Sequence, residues 1–430
     1  MELSILNKFH NINVRKFLFA FLLLALIIRL GFIATLNDEL VWYDAQNYHS
    51  IAANLAEGEG FHSSFNPHST RSWAPLYPYF MGALYWTFGS KMIVVRIAQA
   101  LLGALLCLIV FYISQEMFND KIALLAALIM AVHPLFIYTG GVFYPIIIFT
   151  LLLALVVLLL VRFMANPNNK KYYFVLMCVG LLLGLLTLTK PVIIFVFPFI
   201  PLWFLIDKRV SFFQTVKYSF IIFFIAGLTI VPWTVRNYLK YNEIYFITAE
   251  GGHSFYGANV PWFNVDRSQG YEIPEEIKKK MEGLSEKEKN EILEKEALNF
   301  IKKSPFQFIK LYTKKFVNFW RFYPKTISQN KYTNKKNTIV SLLFYGILIP
   351  FAFVGMAVSI KKWRKYYILY AVPFSFNFGY SFFGTTIRYR LPVEPYIVIF
   401  SAVGMLIVLD YIYKKSIDNQ SEKVRISQQV

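Results

Sequence analysis

FLFAFLLLALIIRLGFIATL (Phe17 to Leu36) and PIIIFTLLLALVVLLLVRF (Pro145 to Phe163) each hold a single charged residue in a run long enough to cross a hydrocarbon core as a helix. Runs of this kind recur along the chain. They predict spans near Phe17 to Leu36, Met92 to Ile113, Ile122 to Tyr138, Pro145 to Phe163, Tyr172 to Leu188, Val192 to Ile206, Phe212 to Pro232, Ile339 to Val358, Tyr366 to Phe383 and Val393 to Tyr413. With 57% hydrophobic and 16% charged residues, the 430-residue chain is expected to be an all-α, polytopic transmembrane bundle of about ten spans. Between the fifth and sixth, Thr187, Thr189, Lys190 and Pro191 form a charged break that fits either two crossings or a re-entrant turn.

Basic residues favour the cytoplasmic side of short loops. Lys8, Arg15 and Lys16 precede the first span, and Lys170 with Lys171, Lys208 with Arg209, KKWRK (Lys361 to Lys365) and Lys414 with Lys415 follow at every second span. Both termini are therefore expected in the cytoplasm, in a multi-pass protein of the cell membrane. Residues 1–413 form one membrane module, residues 414–430 a cytoplasmic tail, and the long loops 37–91 and 233–338 fall outside. The first span precedes no small-residue cleavage site and is expected to be retained. The net charge of +19 is accounted for by these loops facing water and lipid headgroups, and no nucleic-acid partner is implied. Cys107 and Cys178 lie inside spans as small apolar residues, so no disulfide framework is expected.

The first outer loop opens with NDELVWYDAQNYHSIAANLAEGEGF (Asn37 to Phe61). From Asp44, the residues Tyr48, Ile51, Ala52 and Leu55 give one apolar stripe, predicting a helix along the membrane surface that ends at Gly58 and Gly60. Pro75 to Trp86 is a second, aromatic-rich segment. In the second outer loop a polar turn spans Asn259 to Gly270, and Ser285 with Glu288 has the spacing of a capping box, so one helix should end near Gly283 and another begin there. Beyond Pro305, the residues Phe308, Leu311, Phe316 and Phe319 predict an interfacial helix with Lys310, Lys314 and Lys315 toward headgroups.

Several motifs then occur in order: DAQNY (Asp44 to Tyr48), GEGF (Gly58 to Phe61), PLYP (Pro75 to Pro78), TKP (Thr189 to Pro191), PWTVRNY (Pro232 to Tyr238), NFIKKSPFQFIKLYTKKFVNFW (Asn299 to Trp320) and RYRLPVEP (Arg388 to Pro395). This series, spread over nearly the whole chain, resembles the GT-C superfamily of membrane glycosyltransferases, in the branch of protein O-mannosyltransferases and the lipid A aminoarabinose transferase. The resemblance implies inverting transfer of one hexosyl or pentosyl unit from a polyprenyl-phosphate donor to a protein, lipid or glycan acceptor of the cell envelope, on the extracytoplasmic face. Family members often carry an adjacent Asp-Glu pair early in the first outer loop, and here both Asp38 with Glu39 and the lone Asp44 fill that place.

Such a transfer needs a base for the incoming hydroxyl and positive charge for the departing phosphate, which leaves as a stable anion without a general acid. Asp44 is the preferred base because the start of a helix favours its ionised form, with Asp38 and Glu39 as alternates; each is equally accounted for as a cap or a solvated helix end. Lys190, Arg236, Arg388 and Arg390 are the cationic candidates, Arg236 and Arg388 preferred because both lie at predicted outer ends of spans, with arginine forks suited to phosphate oxygens and snorkelling to headgroups as the plainer account. Tyr48, Trp73, Tyr77 and Tyr256 are candidates to line a sugar site. His49, His62, His68 and His253, with Glu250 in EGGH, show no compact ligand spacing. No cofactor is expected, and a divalent metal is not indicated. Two rivals remain open. A lipid-linked saccharide flippase should show mid-membrane ionisable groups and repeat symmetry, and apart from Lys190 the spans are nearly free of charge. A polysaccharide polymerase or ligase would need outer arginines but no base after the first span.

Overall fold

In the computed structural model, residues 13–40, 42–167, 172–207, 209–265, 272–322 and 335–427 are described. The basic residues Lys8, Lys170, Lys171 and Lys208 and the last part of the expected polar turn, residues 266–270, lie outside them. All regular structure among the described residues is helical. The chain runs through α1 (Val14–Ile33), α2 (Tyr43–Ala56), α3 (Leu76–Phe88), α4 (Met92–Met117), α5 (Asp120–Ala131), α6 (Pro134–Gly141), α7 (Ile146–Ala165) and α8 (Tyr172–Thr187). A 3₁₀ turn at Pro191–Val196 leads to α9 (Phe199–Ile206), α10 (Phe212–Tyr241), α11 (Gly251–Ala258), α12 (Glu275–Met281), α13 (Glu286–Lys303), α14 (Pro305–Asn318), α15 (Lys335–Ser359), α16 (Trp363–Phe382), α17 (Ile387–Arg390) and α18 (Glu394–Ser427).

Six helical stretches are long and apolar enough to cross a membrane, or seven when α5 and α6, bent by 47° at their junction, count as one. The expected ten spans are not reached by this measure for two physical reasons. The Lys190–Pro191 break leaves α8 and the 191–206 segment shorter than a full crossing. Residues 338–382 form one continuous helical stretch where two spans were expected. That stretch is not straight: Tyr370 Oη donates to the Met356 carbonyl at 2.7 Å, although fourteen residues of straight helix would cover about 21 Å. The bend falls at Ile360–Lys362, at the start of KKWRK.

Close backbone approach sets the long helices against one another. A Cβ added at Gly355 of α15 would lie 1.9 Å from the Phe400 carbonyl oxygen of α18, and one at Gly404 would lie 2.0 Å from that of Phe351. Gly180 and Gly184 of α8 meet α10 in the same way, at the carbonyls of Ile222 and Ala226. Between lipid tails such small-residue crossings supply the packing that apolar burial supplies in water.

Two features depart from the expected distribution of charge. Arg29, in the middle of the first span, is fully buried and donates to the carbonyls of Ala25, Ala131 and Met130 at 2.9, 3.0 and 3.3 Å. Two of those oxygens lie where α5 breaks off, so the guanidinium satisfies acceptors that the helix leaves open. In α14, Lys315 does not face headgroups. It is buried and donates to the Ala258 carbonyl at 3.1 Å and to Asn259 Oδ1 at 3.0 Å, because the end of α11 offers acceptors there. The expected capping box does form: Ser285 Oγ accepts from the Glu288 amide at 3.3 Å, and Glu288 Oε2 accepts from the Ser285 amide at 2.8 Å. Gly283, in the left-handed region at φ 74°, joins α12 to it.

Gly355→Ala should lower stability by about 2 kcal/mol, because the new methyl group meets a backbone oxygen that can move only with its helix. Gly346→Ala, where nothing stands within 4 Å, should not. Thermal unfolding of the two variants in lipid nanodiscs distinguishes them, and equal melting temperatures would contradict the tight crossing.

Candidate functional site

The ends of α1, α6, α8, α10 and α16 and the starts of α4, α7 and α18 meet the two loop regions at one end of the bundle. Here α2 is fixed by its polar face. Asn47 Oδ1 accepts from Ser63 Oγ at 2.8 Å, and Asn54 Nδ2 donates to the His62 carbonyl at 2.9 Å. Its apolar face packs on α3 through Tyr48, Ala52, Tyr77 and Met81. Asp44 sits in the first turn of α2, where the free amides and the macrodipole favour a carboxylate.

Arg388, on the short α17, reaches Asp44: Nη1 to Oδ2 is 3.5 Å, with the two side chains 22% and 28% exposed. That contact is single and long, so it leaves most of the guanidinium's donor capacity unused. The arginine is otherwise held by rings. Its Cζ lies 5.3 Å from the Tyr144 centroid and 5.1 Å from that of Tyr389, and Nη2 donates to Tyr389 Oη at 3.3 Å. Tyr389 is stacked on Tyr380 with centroids 4.5 Å apart. Lys190, at the break after α8, faces the same pair of tyrosines: Nζ donates to Tyr144 Oη at 2.7 Å and lies 5.6 Å from the Tyr389 ring. Two cations and one carboxylate thus converge on Tyr144, which stands between α6 and α7.

Tyr48 closes the side of this group. Its ring packs edge-on against Trp73 and Tyr77 at 4.8 and 5.0 Å and lies 6.4 Å from Tyr144. Burial holds its phenol well above the ordinary range, with Tyr144 and Asp44 adding to the effect. Tyr77 is occupied by packing and by a bond to Gln99 Oε1 at 2.8 Å. Tyr256 belongs to a separate cluster with Met281, Leu293 and Ala297.

The remaining expected residues go elsewhere. Asp38 is 79% exposed and meets Arg96 at 3.3 Å, while Glu39 is exposed. Arg390 is not available to a ligand: it is fully buried, pairs with Glu394 at 2.6 Å and donates to the Phe319 and Arg321 carbonyls at 3.1 and 2.7 Å. One residue of helix separates it from Arg388, and that turn of about 100° per residue points the two guanidiniums in different directions. Arg236 is instead held by Phe61, Trp233 and Tyr241. Among the histidines, His49 bonds Tyr85 Oη at 2.8 Å and His62 lies 3.8 Å from Glu59. No group of three or more His, Cys, Asp or Glu side chains that could hold a metal ion occurs among the described residues.

Glu250, considered in the sequence only beside His253, is a second carboxylate of this site. It immediately precedes α11; its side chain is exposed to solvent, while protein atoms crowd around that exposed edge. That crowding pushes its carboxyl up to about 7, and the Asp44 charge adds to the rise. A glutamate at the position just before a short helix gave no periodic signal that would have singled it out.

The folded chain keeps a proton on Glu250 up to about pH 7, whereas in the unfolded chain it is lost near 4.5. Its contribution to stability is therefore full below about pH 4.5 and disappears as the pH rises through about 7. Denaturation of wild type and Glu250→Gln across this range should show a downward slope with pH that the variant lacks and that Asp44→Asn reduces. Parallel curves for all three would contradict the coupling.

Residues 72–235 match the family model for dolichyl-phosphate-mannose-protein mannosyltransferase. No curated protein matches the chain. Among solved structures, the archaeal oligosaccharyltransferase AglB from Archaeoglobus fulgidus, in complex with an inhibitory peptide and a dolichol-phosphate, superposes with a TM-score of 0.57 at 15% identity, covering 94% of this chain and 52% of that one. The apo form of the Archaeoglobus fulgidus oligosaccharyltransferase gives 0.59 at 14% identity, covering 96% and 52%. This chain thus spans about half the length of those solved chains. Its helices are arranged as in these oligosaccharyltransferase structures, and within that fold residues 72–235 match the mannosyltransferase family model.

Proposed function

We propose that this chain is an integral membrane glycosyltransferase that moves one sugar from a polyprenyl-phosphate donor to an acceptor hydroxyl at the extracytoplasmic surface, with inversion at the anomeric carbon. The observation that carries this is the meeting of Asp44, Arg388 and Lys190 around Tyr144, drawn from four separate parts of the chain. The family match over residues 72–235 and the GT-C arrangement support the reaction class.

In this reading Asp44 accepts the proton of the acceptor hydroxyl as its oxygen forms the new bond to the anomeric carbon. The bond from that carbon to the phosphate oxygen breaks with its electron pair, and the lipid phosphate leaves as an anion. Arg388 and Lys190 hold that anion, and their value is greatest as the charge develops. As the base Asp44 needs to be loosely held, and a single 3.5 Å contact to Arg388 leaves it so. Glu250, carrying its proton near neutral pH, can donate a hydrogen bond to the sugar or acceptor without placing a second negative charge beside Asp44. Tyr48 and Trp73 would line the sugar. The donor set of Asp44 and Glu250 falls short of a compact metal site, and the phosphate leaving group is met by side-chain cations, so turnover is proposed to need no cofactor.

The loops 37–91 and 233–338 are proposed to face outward, with both termini in the cytoplasm. The positive-inside pattern supports this through Arg15, Lys16, Arg209 and the KKWRK bend, which lie at the bundle end opposite Asp44. The protein would bind the isoprenoid tail of its donor between helices, in contact with membrane lipids.

Purified wild type and Asp44→Asn in nanodiscs, given radiolabelled polyprenyl-phosphate sugars and a membrane extract, test the assignment. Asp44→Asn should lose about 10²- to 10⁴-fold in transfer while binding the donor as wild type does. Arg388→Gln should instead weaken donor binding, and a chelator should change neither. Full transfer by Asp44→Asn would remove it as the base. Translocation of lipid-linked saccharide without transfer by any variant would point to a flippase.

A further inference from the structure

A second cationic group stands beside the Asp44 site and is not used by the mechanism above. At the end of α10, the ring of Tyr241 has three cations around it: Arg71 Cζ at 4.3 Å, Arg236 Cζ at 5.5 Å and Lys240 Nζ at 5.8 Å. Arg236 Nη2 and Lys240 Nζ also approach the same neutral oxygen, the Phe61 carbonyl, at 3.2 and 3.5 Å. One carboxylate is present: Glu243 meets Arg71 Nη1 at 3.3 Å and is shared with the Tyr245 hydroxyl. Arg236 makes its other bond to a neutral group, Asn237 Oδ1, at 3.0 Å. Two positive charges therefore converge on one carbonyl with no carboxylate paired to either among the described residues, an arrangement that repels itself until an anion enters.

We propose that Arg71, Arg236 and Lys240 form a second anion site that takes a phosphate group of the acceptor, making this enzyme's acceptor a phosphate-bearing molecule. The proposal rests on the transferase reading of the Asp44 site and adds the acceptor's chemical class to it. Two guanidinium forks and an ammonium, reduced by one carboxylate, suit a phosphate better than a carboxylate, which a single arginine would satisfy. The site belongs to the acceptor because the donor brings one phosphate beside its reacting carbon, and Lys190 with Arg388 are placed to hold it.

The two sites adjoin across one segment of chain. The Ala249 amide donates to the Arg71 carbonyl at 3.0 Å, and the next residue is Glu250, whose carboxyl senses Asp44. The preceding residues are fastened to α10, with Trp233 Nε1 donating to the Ile247 carbonyl at 2.9 Å and Thr234 Oγ1 to that of Phe246 at 2.9 Å. A phosphate seated on Arg71 and Arg236 would thus lie on the far side of Glu250 from the donor's, with the acceptor hydroxyl reaching Asp44 between them. Exposed Tyr238 and Leu239 flank Lys240, which puts the anion at the apolar margin of the bundle, where a membrane-anchored acceptor would arrive.

The test uses the full chain in phosphatidylcholine nanodiscs titrated with glycerol 3-phosphate, with binding followed by ³¹P NMR. Two binding events are expected for wild type. Arg236→Gln/Lys240→Gln should weaken one of them by at least about tenfold and leave the other, while Arg388→Gln should do the reverse. Lys240→Gln alone, at an exposed position, should act in the same direction as the double variant, and Arg236→Lys should restore part of the affinity. If the double variant keeps both events, or if Arg388→Gln removes both, there is no second anion site. Repeating the titration with half the lipid as phosphatidylglycerol separates the sources: a second event that persists supports an acceptor phosphate, and one that vanishes assigns the site to bilayer headgroups instead. Failure of the transferase reading is seen separately, as full transfer by Asp44→Asn.

Discussion

Inside a bilayer every backbone carbonyl must find a donor, and this bundle is built from helices that break. Each break leaves carbonyl oxygens with no partner in their own helix, and several of the buried cations lie where those oxygens are. Arg29 takes the end of α5, Lys315 the end of α11, and Arg390 the two carbonyls after α14. Without these donors the α5–α6 bend and the turn from α14 back toward the bundle would leave buried acceptors unmet, at about 1–3 kcal/mol each. The breaks matter because they stop helices short at the loop end and leave room there for Tyr144, Lys190 and Arg388.

The same accounting explains why mid-bundle charge here does not imply transport. Arg29, His133, Arg390 and Glu394 are all buried, a feature expected of a flippase. Arg390 and Glu394 are paired at 2.6 Å, and His133 lies 3.8 Å from the same carboxylate. Arg29 is committed to three carbonyls. A group that must carry cargo has to release its partners at low cost, and breaking a buried pair costs about 3–5 kcal/mol. These charges hold the helices together.

Much of the architecture was legible because it follows from local rules. The apolar runs, the helix from Asp44, the Ser285 capping box and the turn at Gly283 each depend on a few neighbouring residues. The span count was less legible, because Lys190 and Pro191 shorten helices and KKWRK bends one in ways hydropathy alone does not weigh. Within the site, Asp44, Lys190 and Arg388 were named from sequence and are brought together. Arg390 was named by the same logic and is not, because a two-residue step along a helix turns a side chain toward the opposite side and no motif records it. Lys315 failed for a related reason: on a helix that reads as amphipathic, the carbonyls awaiting it come from α11, nearly sixty residues earlier. Glu250 was passed over because its importance lies in a carboxylate two hundred residues away.

What sorts these cations is the partner each one has. A cation held by carbonyls or by a short carboxylate contact has its donors used, and it serves as framework: Arg29, Lys315 and Arg390 are of this kind. A cation held mainly by aromatic faces keeps its charge and most of its donors free, since a ring attracts the charge without accepting the hydrogen bonds a guanidinium can give. Arg388 and Lys190 on Tyr144 and Tyr389 belong here, while Arg71, Arg236 and Lys240 share the Tyr241 ring and add contacts to Glu243 or the Phe61 carbonyl. Ring-held cations are organised in advance for an anion and lose little on receiving it. Both groups lie at the loop end of the bundle, and the Glu250 segment is bonded to one of them through Arg71.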